Sequence, residues 1–414
     1  MDFAEALRAL MAERGISGNA LAKRAYCDRA LISRYVNGKQ PPSVKMARRL
    51  DDLLGAGGRL AALAAPPLFN GETTPEGRAR LDWAVRNPRR VDGAAVDSLA
   101  VVLAAQRRAE DSLGSAAVLQ PVLAQLRAID ELVTESRGQV RPALVHVAGQ
   151  WAQFAGWLHT NTGHPAQGDA SLSKALLWAV EAGEPDLISE VLSFQGHAAW
   201  VAGHPGPTVG LSQAAQRDPG VFPGQLAISA AQEAKARAMM REPGDVGRLL
   251  DQADEQAAAA AARPQDSPPW LYYHSPGFFA LQRGLAYSYL ADQPQYRSRA
   301  IAAIQVGHAQ LPDGEQGSEW AAEYLTYLAD LHALDGDGEQ ASAAALQAAT
   351  VARRARSVRL LRMLAPVCAR LAARWPSDPD VAALTEALRL PPRTPIRGAP
   401  PVIDRRGAFA LQAP

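Results

Sequence analysis

Arg29, Ala30, Ser33 and Arg34 follow one another at i, i+1, i+4 and i+5. On a helix that spacing gathers all four on one polar face, away from Leu31, Ile32 and Tyr35. The chemistry open to such a face is recognition of base edges. An arginine pairs bidentately with guanine, worth ~1–3 kcal/mol of discrimination, and a small apolar side chain such as Ala30 can touch a thymine methyl. The surrounding charge favours the same partner. Residues 14–49 hold nine basic side chains and one acid, Asp28, a local net charge of +8 in a chain whose total is +1. The remainder sums to −7, so a small cationic head is joined to a mildly acidic body, the electrostatic footprint of nucleic-acid binding. The competing reading pairs Arg29 with Asp28 on a merely solvated face.

Catalytic chemistry has no comparable support. The sequence contains no HExxH, Gly-rich phosphate loop, GxSxG or CxxC. His159 with His164, and His197 with His204, lack metal-ligand spacing on one helix face. Two distant cysteines, Cys27 and Cys368, exclude a disulfide scaffold and a Cys-based zinc site and fit a reducing cytosol. The expectation is a protein that is not an enzyme, with no cofactor and no metal. No apolar run approaches the ~20 residues needed to span a bilayer. The opening MDFAEALRALMAERG has acids inside a helical pattern and no apolar signal core, so a cytoplasmic protein is expected. At 414 residues, two or three domains are expected. Alanine dominates and aromatics reach only 6%, which favours helix.

The elements that must hold the cationic face read as short helices. Phe3, Leu7, Leu10 and Met11 mark an amphipathic first helix that stops at Gly15. Ser17 caps a second helix with Leu21, Ala22 and Ala25 inward. Tyr26-Cys27-Asp28 breaks the chain, and Asp28 caps a third helix from Arg29 to Val36 that ends at Asn37-Gly38. Ser43 caps a fourth, in which Val44, Ala47, Leu50, Leu53 and Leu54 form one face before Gly55.

This run resembles the helix-turn-helix domain of the bacterial XRE, or phage-repressor, family. Leu21-Ala22, Ile32-Ser33-Arg34, Asn37-Gly38 with a basic residue after it, a proline before helix four and Leu53-Leu54-Gly55 carry the likeness. The resemblance implies that helix three enters the major groove of double-stranded operator DNA. It assigns Arg29, Ala30, Ser33 and Arg34 to that groove, and Lys23, Asn37, Lys39 and Lys45 to phosphates, which give affinity without sequence information. Two positions depart from the family. Gly18 stands where a phosphate-gripping Gln is usual, and Tyr26 stands where the turn usually has Gly.

Residues 56–95 read as a structured connector, with Leu60, Leu63, Leu68 and Phe69 docking and a short helix from Glu76 to Val85. From about 96 to 390 the pattern is helical and regularly punctuated. Gly163-His-Pro165, Gly183-Glu-Pro185 and Gly203-His-Pro205 recur 20 residues apart. Glycine ends a helix and proline opens the next. Two helices per ~40 residues is the signature of an α-solenoid, with an irregular helical bundle as the alternative. Trp151, Phe154, Ala155 and Trp157 resemble the first helix of a tetratricopeptide repeat, and Ala175, Ala179 and Pro185 its second half. Further units fall at 186–218, 223–262, 275–311, 315–356 and 357–390.

The expected fold is therefore all-α: a helix-turn-helix bundle (1–65), a linker (66–95), a TPR-like solenoid (96–390) and a disordered tail (391–414) in which Phe409 and Leu411 could dock. First helices line the concave face of such a solenoid. The polar and aromatic residues Gln153, Trp157, Gln195, Gln232, Tyr273, Tyr287, Glu323 and Tyr327 are its candidate ligand contacts. The head–solenoid order resembles the peptide-responsive, quorum-sensing regulators of Gram-positive bacteria. That likeness implies a cytoplasmic homodimeric transcription regulator in which a short signalling peptide changes the spacing of two heads. A small-molecule ligand, or a protein-interaction scaffold with a secondary head, are the alternatives.

Overall fold

A computed structural model describes residues 3–40, 42–57, 59–64, 69 and 73–388. The expected tail, and Pro66, Pro67 and Leu68 of the connector, lie outside the described residues. Every regular element among the described residues is helical. The chain divides between residues 70 and 71 into two compact units.

The first unit holds α1 (Phe3–Glu13), α2 (Gly18–Arg24), α3 (Arg29–Val36), α4 (Val44–Leu54) and α5 (Arg59–Ala64). Each start has its local cause. Ser17 accepts from the Ala20 amide, Asp28 from Ala30 and Ser43 from Met46, so one orphan donor is satisfied at each N-terminus. Gly55 closes α4 at φ +57°, the left-handed conformation a glycine adopts without strain. Leu7, Leu10, Leu21, Ile32, Tyr35, Leu50 and Leu54 interlock as the core. Leu60 of α5 joins them, and the buried Asp51 carboxylate fastens α5 by accepting the Leu60 amide. The helix-turn-helix bundle thus has a fifth helix inside the segment read as connector. Leu63 is half-buried against the same core and Phe69 is fully buried.

The second unit begins with α6 (Pro75–Arg86), which packs on α7 (Gly93–Leu113) and α8 (Ser115–Glu135) through buried Leu81 and Ala84. Antiparallel hairpins follow: α9 (Arg141–Asn161) with α10 (Pro165–Ala182), α11 (Pro185–Val201) with α12 (Pro205–Ala215), and α13 (Pro223–Met239) with α14 (Pro243–Ala261). Then come α15 (Pro276–Ser288) with α16 (Pro294–Gln310), a single turn α17 (Asp313–Gln316), α18 (Glu319–Asp335) with α19 (Gly338–Arg354), and α20 (Val358–Arg374) with α21 (Pro379–Leu388). The first helix of each hairpin packs on the first helix of the next, so the unit is an α-solenoid and not an irregular bundle. The Gly-X-Pro signals punctuate it as read, and α7–α8 form one more hairpin ahead of the units drawn from the sequence. Trp151 of α9 donates to the Leu99 carbonyl of α7 at 3.2 Å, and Trp200 of α11 to the Tyr289 hydroxyl at 2.8 Å.

The superhelix turns back on itself. α18 reaches α7, and the Glu319 carboxylate accepts the Ser115 amide of α8 at 3.2 Å and the Ser357 hydroxyl ahead of α20. Across the same seam, Tyr272 donates its hydroxyl to Asp111 at 2.9 Å. Six hairpins therefore close around a central space, and α20 and α21 continue past the seam.

Close helix approach rests on small residues. A methyl added at Gly307 would lie 2.8 Å from both the Gly277 carbonyl and the Leu281 amide, whereas one at Gly244 meets nothing within 4 Å. The same substitution should then have opposite effects. Gly307→Ala should lower the urea stability of the full chain by about 1–3 kcal/mol through overpacking. Gly244→Ala, at an exposed position of α14, should raise it by about 0.4–1 kcal/mol through the unfolded state.

Candidate functional site

All nine basic side chains of residues 14–49 are exposed. So are Ala30, Ser33 and Asn37; the eight residues assigned to DNA all reach the surface of the first unit. The alternative pairing of Arg29 with Asp28 is not adopted. The Asp28 carboxylate is turned to the Ala30 amide at 2.7 Å, and Arg29 has no ion pair among the described residues. Arg34 donates from Nε to the Gln40 side-chain oxygen at 2.9 Å, and Asn37 donates to the Ser33 carbonyl at 2.8 Å. These bonds between exposed groups hold the polar face in shape and are open to exchange for base and phosphate oxygens. The helix therefore presents one arginine at its first residue, Arg29, and a second in its last turn, Arg34, both on its exposed side.

The two departures from the family pattern have structural answers. Gly18 begins α2, with Ser17 supplying its cap. Tyr26 takes the left-handed backbone that the turn requires, at φ +48°. A β-carbon there costs about 1–2 kcal/mol. The ring is 85% exposed and lies under the Arg49 guanidinium at 5.0 Å, a cation–π contact that offsets part of that strain.

The solenoid's first helices surround a partly enclosed cavity of about 140 Å³, counted as space open to the centre of a water molecule. Gln153, Trp157, Gln232, Tyr273 and Glu323 line it, as expected. Gln195, Tyr287 and Tyr327 do not. The cause is helical phase: each residue advances ~100°, so Gln195 and Tyr287 are turned off the face that presents Ser193, His197 and Leu285. The Tyr287 hydroxyl instead accepts from Arg283 at 3.3 Å, and Tyr327 packs against Tyr289 in the core.

The groups that give the cavity its character were not among the sequence candidates. They are Arg107, Glu110 and Asp111 of α7, Glu190 of α11 and Lys235 of α13. All but Asp111 are 5% exposed or less. Aromatic rings stand between them. Trp157 packs on Phe194 and His197 at 5.7 and 5.3 Å, and the Lys235 amine sits 3.7 Å over the Trp200 ring. Arg107 Nη2, Glu190 Oε2 and His197 Nε2 are buried without a hydrogen-bond partner among the described residues. Buried polar atoms left without a partner are costly to stability. A constellation of this kind in a cleft is what a binding site looks like physically.

Burial shifts these groups toward neutrality. The Glu190 and Glu110 carboxyls are each pushed up to about 8, and the Lys235 amine is lowered to about 7. Between pH 4.5 and 8 the folded protein therefore keeps a proton on Glu190 that the unfolded chain has lost. That contribution is full below this window and is lost as pH rises through it. Lys235 has the opposite sense: its penalty is full below pH 7 and is relieved as pH climbs toward 10.5. The urea midpoint of the wild type should thus fall from pH 5 to 7 relative to that of Glu190→Gln, because the buried histidines, whose lowered pKa values act in the opposite sense, add the same slope to both proteins. Parallel pH profiles for the two proteins would mean that Glu190 is ionised in the folded cavity.

No described helix is long and apolar enough to cross a membrane, and no group of three or more His, Cys, Asp or Glu suited to a metal ion occurs among the described residues. A comparison with curated proteins matches none of them. Residues 2–64 match the family of helix-turn-helix domains, the same span that folds as α1–α5. The first unit of this chain is an XRE-like helix-turn-helix DNA-binding domain.

Proposed function

We propose that the protein is a sequence-specific transcriptional regulator whose solenoid binds a signalling ligand and so modulates operator binding. The DNA-binding head is joined to a body whose central cavity holds Arg107, Glu190 and His197, each buried with one polar atom that has no hydrogen-bond partner among the described residues, and that combination is the observation that carries the reading. Phage-repressor-type heads bind as pairs on a pseudo-palindrome, half-sites about one helical turn apart. A homodimer is accordingly part of the proposal. A ligand that prefers one solenoid curvature shifts the population toward it, by no more than its differential affinity.

The ligand class is a short peptide. Its terminal carboxylate and ammonium complement Arg107 and Glu190, and its side chains suit the ring-lined wall. The tetratricopeptide-like repeat pattern and the likeness to peptide-responsive regulators support the same choice. The second reading, a compact small molecule with charged ends and an aromatic body, is favoured by the cavity's limited volume and partial enclosure.

Duplex recovered by chromatin precipitation should be retarded by the full-length protein, with affinity falling steeply as salt rises. Arg29→Ala with Arg34→Ala removes two contacts of ~1–3 kcal/mol each, at least about a thirtyfold loss. Unchanged affinity would refute the assignment of α3 to the groove. Mass spectrometry of material co-purified with the wild type, and lost with Arg107→Ala, separates peptide from small molecule.

A further inference from the structure

Lys235 stands on the buried face of α13, flanked by Ala231, Ala234 and Ala238, and lines the central cavity. The residue is 3% exposed. Its amine makes no hydrogen bond or ion pair among the described residues. It is not sealed in, as Arg107 Nη2 and His197 Nε2 are, and so keeps surface toward the cavity. We infer that Lys235 captures a carbonyl compound, an aldehyde or a reactive ketone, as a Schiff base. This capture takes place in the ligand site proposed above and rests on that reading; it adds one functional group to the occupant.

Nothing in the wall competes for the amine's lone pair. Facing it are His197 and Trp200 of α11 and Glu323 of α18. Glu323 is taken up by Arg359 at 2.7 Å, and burial holds His197 neutral. Burial also lowers the Lys235 amine to about 7, against the smaller upward pull of Glu323. At pH 7 about half of the molecules therefore carry the free base, the form that adds to a carbonyl. The amine sits 3.7 Å over the Trp200 ring, which is fixed by its bond to the Tyr289 hydroxyl. With Trp157 and Phe194 in the same wall, the nucleophile is surrounded by rings that suit an aromatic or branched carbonyl compound.

The step balances without oxidant or reductant. The nitrogen lone pair attacks the carbonyl carbon, and a proton passes from nitrogen to oxygen to give the carbinolamine. Loss of one water then leaves C=N in place of C=O. Partial enclosure of the cavity limits the water that would hydrolyse the product.

The test uses the full-length wild type at pH 7, with cyanoborohydride to fix the imine as a secondary amine. The probes are benzaldehyde and the peptide aldehyde acetylglycylphenylalaninal. The chain's other four lysines, Lys23, Lys39, Lys45 and Lys174, are all more exposed than Lys235 and serve as internal controls. Peptide mass spectrometry should find Lys235 labelled at least tenfold faster than any of them, despite its burial. Its rate should saturate with aldehyde concentration, as binding before reaction requires, while theirs stay linear. Faster capture of benzaldehyde marks a small molecule as the occupant, and faster capture of the peptide aldehyde a peptide. Labelling of Lys235 no faster than that of Lys174, or without saturation, would overturn the assignment. If a co-purified ligand is then still lost with Arg107→Ala, the ligand site stands and only the imine falls. Selective labelling that leaves operator affinity unchanged would keep the imine and remove the cavity's control of the head.

Discussion

One carboxylate holds the solenoid closed. Glu319 takes a backbone amide from the hairpin at one end of the ring and a side-chain hydroxyl from the helix that leaves the other end. It is 6% exposed, so both bonds form where water does not compete. An ordinary solenoid offers an open groove, in which charged side chains stay hydrated. Here the groove becomes a chamber, and Glu110, Glu190 and Lys235 lose their water. Their shifts toward neutrality follow from the same closure.

Arg359 stands behind the wall of the central cavity. Its Nη1 donates to Glu323 in that wall, and its Nε and Nη2 are buried without a hydrogen-bond partner among the described residues. Nothing in packing alone calls for a buried arginine with two idle nitrogens; an apolar residue of similar volume would be cheaper. The same holds for Arg107 and Glu190. These are places where the chain keeps polar groups at a cost in stability, and such places are commonly where recognition is done.

How much of this was legible in the sequence depends on how local each feature is. The head was legible because caps, apolar spacing and turn residues act within a few positions. Ser17, Asp28 and Ser43 each bond the amide that their spacing implies, and Tyr26 takes the strained backbone that its place in the turn demands. The hairpins were legible because glycine and proline punctuate them one at a time. The ring was not, because closure depends on the summed twist of six hairpins and on a contact between residues 204 positions apart. Helical phase was also misjudged where several polar residues crowd one helix, as with Gln195 and Tyr287. The charged lining was overlooked for a different reason. Glu190 and Lys235 look like ordinary solvated charges until one notices that Leu187, Val191, Ala231, Ala234 and Ala238, at i±1, i±3 or i−4, are all buried. A lone charge flanked on its own face by small and branched apolar residues was the available signal.

Closure also limits how such a protein can diversify. A solenoid with free ends gains or loses whole repeats and only becomes longer or shorter. In this one, an extra hairpin between α8 and α18 would carry Glu319 away from Ser115 and open the chamber. The copy number of the enclosed repeats is therefore locked, and lineages can alter the cavity only by exchanging side chains on its wall. Growth by duplication is left to the stretch beyond the seam, where α20 and α21 stack outward.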